Sequence, residues 1–156
     1  MAAYIISIIY IFSLLKAECD SDEIELWGDC YSINVTNITR INAGLTGSIP
    51  NEIGNLTDLV TLKLPYNNLT GSIPPEIGNL SNLQKLELQY NDLTGPLPNE
   101  LWNLTELTQL RLQKNEFTGP INSQIGNLID LTHLYLYGNQ FIGEIPSEIG
   151  NITNLV

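Results

Sequence analysis

The sequence has few of the residue types on which catalytic and metal sites depend. Its 156 residues include one histidine, one methionine and two cysteines. Nucleophile–base pairs need a base, and zinc sites need clustered histidine or cysteine. No phosphate-binding glycine-rich loop, serine hydrolase motif or metalloprotease motif occurs. We therefore predict a protein that is not an enzyme and that uses no cofactor and no metal.

Basic residues are also scarce. Six lysines and arginines stand against 17 acidic residues, and the formal net charge is −11 at pH 7. A strong negative charge opposes association with polyanions. This balance argues against nucleic acid, and against an anionic membrane surface, as a partner of the whole molecule.

Long apolar runs are absent except at the start, where residues 1–15 carry no charged side chain. The run is shorter than the ~20 residues that a membrane-spanning helix needs. It fits the apolar region of a secretory signal, with Ala17 as the small residue before a cut at Glu18. An uncleaved anchor is the alternative. We predict a signal peptide over residues 1–17, and a secreted or cell-surface protein.

The two cysteines, Cys19 and Cys30, flank an acidic segment that contains Trp27. In an exported protein a close, even pair predicts a disulfide bond. Two free thiols are the alternative. We interpret residues 18–44 as an N-terminal cap, because the first unit of a stacked array has one face without a neighbour.

The second half of this cap contains a degenerate copy of the 24-residue repeat that fills the rest of the chain. A step of 24 residues back from Leu59 and Leu62 gives Val35 and Ile38, which are apolar as expected. The same step from other core positions gives polar or small residues. We predict a capping strand within residues 32–44, bulged so that Ile41 points inward and Arg40 points outward.

From Leu45 to Val156 the chain repeats one 24-residue unit, first complete as LTDLVTLKLPYNNLTGSIPPEIGN at residues 56–79. One position of the unit is filled in turn by Leu45, Leu69, Leu93, Phe117 and Phe141. A constant period of this length is the signature of a solenoid. Each unit has more apolar residues than it can bury alone, so neighbouring units must stack.

Two features of the unit have a direct physical reading. Alternation in a short strand places Leu62 and Leu64 on one side and Lys63 on the other. An asparagine follows each strand where the chain bends, and its amide can satisfy backbone groups of its own and the adjacent unit. This structural asparagine ladder comprises Asn67, Asn91, Asn115 and Asn139.

The pattern LxxLxxLxLxxNxLTGxIPxxIGx over residues 45–156 resembles the plant-type leucine-rich repeat family, as in receptor-like protein and receptor kinase ectodomains and in secreted proteins. The resemblance implies an α/β repeat fold, a leucine-rich-repeat solenoid forming a right-handed superhelical arc. A parallel β-sheet would line the concave face, with 3₁₀ turns and short second strands on the convex side. It also implies a concave face that binds proteins, peptides or glycans. Some plant receptors of the family hold a peptide carboxylate with an Arg-x-Arg pair, which does not occur here.

Sixteen strand positions should face the concave side. They are Thr61, Lys63, Pro65, Tyr66, Lys85, Glu87, Gln89, Tyr90, Gln109, Arg111, Gln113, Lys114, His133, Tyr135, Tyr137 and Gly138. They hold four of the six basic residues, one of the 17 acids and four of the seven tyrosines. Such a surface suits an extended anionic or aromatic ligand; alternatively, exposed strand positions simply favour these residue types. The predicted ligand-binding residues are Lys63, Tyr66, Lys85, Tyr90, Arg111, Lys114, His133, Tyr135 and Tyr137.

Seven asparagines stand in glycosylation sequons, namely Asn34, Asn37, Asn55, Asn68, Asn79, Asn103 and Asn151. In a secreted eukaryotic protein they would be exposed glycan acceptors. The alternative is that most of them follow from the repeat consensus, in which GNLT and NNLT recur.

The sequence stops inside a fifth unit and has no second cysteine pair to close the array. We expect further repeats to cover this end, and a membrane link only through sequence after Val156. The favoured function is an extracellular binding module, the N-terminal part of a receptor-like protein or receptor kinase ectodomain. The alternatives are a free secreted protein, such as an inhibitor of wall-degrading enzymes, and a structural or adhesive surface protein.

Overall fold

The computed structural model describes residues 19–156. The signal peptide predicted over residues 1–17 lies outside this range. Within it, no helix is long and apolar enough to cross a membrane. The chain is a solenoid in which each coil has an inner strand, a bend and a 3₁₀ helix, and most coils add a short second strand. This architecture confirms the predicted fold class.

A disulfide-closed hairpin covers the N-terminal end of the solenoid. Strands β1 (Glu23–Leu26) and β2 (Asp29–Ser32) pair antiparallel. Cys19 and Cys30 form the predicted disulfide, with Cα atoms 5.5 Å apart. The side chain of Leu26 is fully buried, and the indole of Trp27 donates to the carbonyl oxygen of Ser48 at 3.2 Å. The hairpin therefore supplies the first coil with apolar cover and a hydrogen-bonded anchor.

Nine further strands form two parallel sheets. In chain order they are β3 (Asn37–Thr39), β4 (Thr46–Gly47), β5 (Thr61–Lys63), β6 (Asn68–Gly71), β7 (Lys85–Glu87), β8 (Asp92–Pro96), β9 (Gln109–Arg111), β10 (Glu116–Thr118) and β11 (His133–Tyr135). The concave sheet has the order β11-β9-β7-β5-β3, and the second sheet has the order β10-β8-β6-β4. We number the coils 1 to 5 by their concave strands, from β3 to β11.

The register of the concave sheet follows the 24-residue step. Leu62 pairs with Ile38 on one side and with Leu86 on the other, and Leu86 pairs in turn with Leu110. Equivalent side chains therefore stack in columns that run across the strands, one residue per coil. All four of these side chains are no more than 1 % exposed, so the inner column is dry.

The convex side carries one 3₁₀ helix per coil. These helices span Asn51–Asn55, Pro75–Asn79, Asn99–Asn103, Ser123–Asn127 and Ser147–Asn151. Adjacent coils approach closely at a glycine that recurs at the same position of most units. A Cβ on Gly78, for example, would lie 2.6 Å from the Cβ of Glu100. Trp102 occupies the same position in coil 3 and is 1 % exposed. Asn122, in a proline position, caps its helix by accepting from the backbone N–H of Gln124 at 2.8 Å.

Each asparagine of the ladder bonds two coils together. Asn91 accepts from the N–H of Leu69 at 3.1 Å and donates to the carbonyl oxygens of Leu64 at 2.9 Å and Leu88 at 3.0 Å. Asn115 repeats this pattern one coil later. Because the side chains are 7 % exposed, these bonds replace water that cannot reach the bends.

The prediction for the first repeat is wrong in one respect. The strand there covers only Asn37–Thr39, and Ile41 does not point inward but is 54 % exposed. Arg40 pairs with Asp29. The reason is that Asn42, at φ 49°, makes the same bend as the later coils. This bend puts Ile41 in an outward position of the concave side.

Candidate functional site

The sixteen concave positions form four columns across coils 2 to 5. Along the chain, the first column is Thr61, Lys85, Gln109 and His133, and the second is Lys63, Glu87, Arg111 and Tyr135. The third is Pro65, Gln89, Gln113 and Tyr137, and the fourth is Tyr66, Tyr90, Lys114 and Gly138. Neighbours within a column are about one strand spacing apart, ~4.8 Å. The nine predicted ligand-binding residues therefore lie on one surface.

The fourth column has left-handed backbone conformation. Tyr66 and Tyr90 both have φ 58°, Lys114 has φ 60° and Gly138 has φ 69°. For a residue other than glycine this conformation costs about 1–3 kcal/mol unless the surroundings enforce it. The asparagine that follows each position fixes the bend by its side-chain bonds. The bend turns the tyrosines to the surface, where Tyr66 is 51 % exposed.

Aromatic rings on this surface contact each other and two of the cations. Tyr66 and Tyr90 stack with ring centroids 4.6 Å apart and planes 12° apart. The guanidinium of Arg111 lies 5.1 Å from the ring centroid of Tyr135. In the same way the ammonium of Lys114 lies 5.9 Å from the ring of Tyr137. Cations held over aromatic faces keep their charge, so they remain available to an anionic group of a ligand.

One predicted cation is already neutralised. The ammonium nitrogen of Lys63 lies 3.0 Å from a carboxylate oxygen of Glu87 on the neighbouring strand. Lys85 forms no ion pair within residues 19–156. Of the four cations, Lys85, Arg111 and Lys114 therefore carry the positive field of the face.

Two other predicted residues have polar groups with defined surroundings. Partial desolvation, and after it the charge and hydroxyl of Tyr90, raise the pKa of Tyr137 above its ordinary value. The Nδ1 atom of His133 lies 2.8 Å from the hydroxyl oxygen of Thr132. Both rings offer polar atoms at the surface of coil 5.

Not all sixteen positions are open to solvent, contrary to the sequence-based expectation. Pro65 is buried, Glu87 is 8 % exposed, Gln89 is 7 % exposed and Gln113 is 6 % exposed. Their depth depends on the side chains of neighbouring coils, which a single unit does not reveal. Such positions hold their side chains against the sheet, beneath the more exposed residues.

The two buried glutamines were not among the residues predicted to bind ligand. Their Oε1 atoms are buried and have no hydrogen-bond partner within the described part of the chain, and the same holds for Nε of Arg111. The signal in the sequence was the repetition of glutamine at one position in adjacent units. The positive φ of the bend also had a signal in the sequence. Asn42 and Gly138 occupy the position equivalent to Tyr66, and both residue types tolerate positive φ.

All seven sequon asparagines are exposed. Asn55, Asn79, Asn103 and Asn151 end the 3₁₀ helices on the convex side. Asn37 lies in β3 at the edge of the concave sheet. None of the sixteen concave positions is a sequon asparagine. Glycans at the predicted sites would therefore not be attached to the concave face of coils 2 to 5.

Comparison with known proteins found similar sequences and structures. The sequence profile described as Leucine rich repeat matches residues 57–117, and a second Leucine Rich Repeat profile matches residues 130–152. The ectodomain of the receptor kinase SOBIR1 from Arabidopsis thaliana is 33 % identical, with a TM-score of 0.75, over 82 % of this chain and 70 % of that one. The BIR3–SERK2 complex from Arabidopsis thaliana matches at 32 % identity and TM-score 0.69, over 83 % of this chain and 68 % of that one. No curated protein matches the chain.

A larger receptor contains only a short stretch similar to this chain. The plant peptide hormone receptor RGFR1, solved in complex with RGF2, is 40 % identical with a TM-score of 0.71. The match covers 72 % of this chain and 18 % of the receptor chain. The chain thus spans about a fifth of the length of such receptors.

Proposed function

Since the chain belongs to the plant-type leucine-rich repeat family, we propose that it is an extracellular ligand-binding module of the receptor ectodomain type. Its ligand lies on the concave face of coils 2 to 5. The observation that carries this proposal is the placement of Lys85, Arg111 and Lys114, with four tyrosines, on one side of an acidic molecule. The formal charge of the sixteen positions is four positive against one negative, while 16 of the 17 acids lie elsewhere.

The similar proteins support this assignment. RGFR1 was solved with RGF2, and HAESA was solved with the peptide hormone IDA and the co-receptor SERK1. RGFR1 is a plant peptide hormone receptor, and HAESA is a receptor kinase that binds its peptide hormone together with a co-receptor. A protein, peptide or glycan partner in the extracellular space is therefore the function that the fold and the face support best.

A spacer or adhesive protein is the second candidate, because repeats of this kind also serve as scaffolds. Its concave positions would bind nothing in particular. The partly buried Lys63–Glu87 pair and the two cation–aromatic contacts favour a preorganised binding face instead. Rigid placement of charged groups lowers the ordering cost of binding.

The test uses the secreted full chain with a photo-crosslinking side chain at one of two positions. In one variant the photo-crosslinking residue replaces Gln109 on the concave face. In the control variant it replaces Ser72, which lies outside that face. After incubation with extracellular fluid of the source tissue, the adducts are identified by mass spectrometry. We expect a defined adduct from position 109 and none from position 72. Equal, heterogeneous adducts from both positions would contradict a ligand-binding concave face.

A charge-matched control separates the face from the net charge of the molecule. The variant K85Q/R111Q/K114Q removes three positive charges from the concave face. The variant S48E/S72E/Q140E lowers the net charge by the same amount at exposed positions elsewhere. The adduct should be lost in the first variant and kept in the second. Loss in both variants would mean that the face itself has no specific role.

A further inference from the structure

Three polar atoms on the concave face are buried without a hydrogen-bond partner within residues 19–156. They are Oε1 of Gln89, Oε1 of Gln113 and Nε of Arg111, on adjacent coils 3 and 4. We infer that these residues form a subsite for an extended oligosaccharide, with one pyranose ring per coil. The inference rests on the concave face being the ligand-binding face, and it specifies the chemical class of that ligand.

The chemistry of the three atoms calls for hydroxyl groups. A glutamine Oε1 accepts hydrogen bonds, whereas Nε of Arg111 only donates. A hydroxyl both donates and accepts, so a row of hydroxyls complements all three atoms. It also complements a glutamine amide in either orientation, because the amide NH₂ donates where Oε1 accepts. A purely apolar or purely anionic ligand would leave at least one of these atoms unpaired, which costs free energy when the atom is buried.

The spacing of the columns matches the repeat of an extended sugar chain. Gln89 and Gln113 are equivalent residues on adjacent coils, as are the stacked Tyr66 and Tyr90, whose centroids are 4.6 Å apart. This period is close to the length of one pyranose unit in an extended chain. An extended peptide advances ~3.3 Å per residue, so its side chains and amides fall out of step with the coils. A ligand with the period of the coils presents the same groups to each glutamine.

The surroundings of the glutamines fit a polyhydroxyl ligand. Tyr90 and Lys114 directly follow the two glutamines, and Tyr90 is 39 % exposed. A ligand that displaces Tyr90 from Tyr66, or Lys114 from Tyr137, would gain access to the amides. Tyrosine rings pack against the C–H faces of sugars and add a hydroxyl. The positive charge of Lys85, Arg111 and Lys114 also admits sugars that carry carboxylates.

The test measures binding of three defined hexamers to the full chain by titration calorimetry. The probes are β-1,4-linked glucose, β-1,4-linked N-acetylglucosamine and α-1,4-linked galacturonate. The variant Q89M/Q113M removes both amides at nearly constant volume, and Q140M makes the same change at an exposed position on another face. We expect at least one hexamer to bind, at least tenfold more weakly to Q89M/Q113M and unchanged to Q140M.

A thermal unfolding measurement makes a folding defect visible. Removal of two unpaired buried atoms should raise the Tm of Q89M/Q113M by about 4–8 °C, so loss of binding would coincide with a more stable fold. Undiminished binding by the double variant would overturn the inference, and this is the result if the amides hold ordered water only. Failure of all three hexamers would overturn it as well.

The outcomes also separate this inference from the function proposed above. If the hexamers fail but position 109 still captures a peptide or protein, the concave face binds ligand and only the sugar class is wrong. If position 109 captures nothing and no hexamer binds, both proposals fail. An adduct containing a glycan, lost in Q89M/Q113M, would support both.

Discussion

Two neighbouring columns of this solenoid contain buried side-chain amides, one of asparagines and one of glutamines. They differ in the hydrogen bonds that the amides make. In coils 3 and 4 a single residue separates the glutamine from the asparagine, as in Gln89 and Asn91, and these four residues are 6–7 % exposed. Asn91 and Asn115 each make three side-chain hydrogen bonds to backbone groups. The Oε1 atoms of Gln89 and Gln113 make none within the described chain.

The difference separates two uses of the same functional group. A satisfied buried amide stabilises the bend and joins coil to coil, because the backbone groups there have no access to water. An unsatisfied one at the same depth lowers stability, and its unused bonding capacity suits a group outside the folded chain. We assign the first column to the fold and the second to ligand binding. The variants below act on one column or on a matched position outside both.

The largest effect is expected from Asn91→Ala. The substitution leaves the N–H of Leu69 without its partner. The carbonyl oxygens of Leu64 and Leu88 each lose one of two bonds and keep those from Asn67 and Asn115. The unpaired N–H costs about 1–3 kcal/mol and each lost carbonyl bond about 1 kcal/mol, so the free energy of unfolding should fall by about 3 kcal/mol or more. Denaturant titration measures it. The exposed Asn127→Ala serves as control, and a loss below about 1 kcal/mol for Asn91→Ala would contradict the ladder's role.

A smaller effect is expected from Asn139→Ala in the last coil. Asn139 makes the same three bonds, to the N–H of Phe117 and the carbonyl oxygens of Leu112 and Leu136. It is only partly buried, so water can replace much of what the side chain provides. We expect a loss of about 1 kcal/mol by the same titration. A loss as large as that of Asn91→Ala would show that burial does not govern the ladder's contribution.

A still smaller effect is expected from the ion pair of the cap. Arg40 contacts Asp29 and donates to the hydroxyl of Tyr31 at 3.1 Å, and the hydrogen bond to Asp29 is the main cause that raises the pKa of Arg40. The two charged side chains are 32 % and 48 % exposed. Arg40→Gln should therefore cost about 0.5 kcal/mol, and salt should diminish the loss. A loss independent of salt would mean that packing, not charge, is what the arginine provides.

The smallest effect is expected from the pH dependence of Tyr137. Its pKa is raised above the ordinary 10.0, first by desolvation and then by Tyr90. A raised folded-state pKa means that the contribution to stability is full below pH 10.0 and is lost as the pH rises through the folded value. Absorbance titration should show one phenol ionising late, and Tyr90→Phe should bring it back towards the ordinary value. An unchanged titration in Tyr90→Phe would exclude the contribution of Tyr90.

The repeat made much of the fold predictable from the sequence. The 24-residue step fixes which residues stack, and the alternation around Lys63 places Leu62 and Leu64 in the core, where both are fully buried. The disulfide between Cys19 and Cys30 was predictable because the sequence contains only these two cysteines and they lie close together. Local patterns were sufficient because each coil contacts only its neighbours.

The candidate site was predictable as a surface but not in its detail. The nine expected residues share one face, six through the alternation that starts in the strands and three through the bend that follows. The pairing of Lys63 with Glu87 and the burial of Gln89 depend on how side chains of adjacent coils close over one another. Likewise, Ile41 is exposed because the first coil keeps the bend of the others although Ala43 stands where they have asparagine. These features arise between units, so no single unit encodes them.

The most direct test of the two amide columns is the unfolding of a matched pair, Gln113→Met and Asn115→Met. The two residues lie in the same coil, are 6 % and 7 % exposed and receive the same side chain. Denaturant titration should show Gln113→Met more stable than the wild type by about 1 kcal/mol and Asn115→Met less stable by about 3 kcal/mol. Equal losses in both variants would show that Gln113 is as well satisfied as Asn115, and would remove the ground for assigning the glutamines to a ligand.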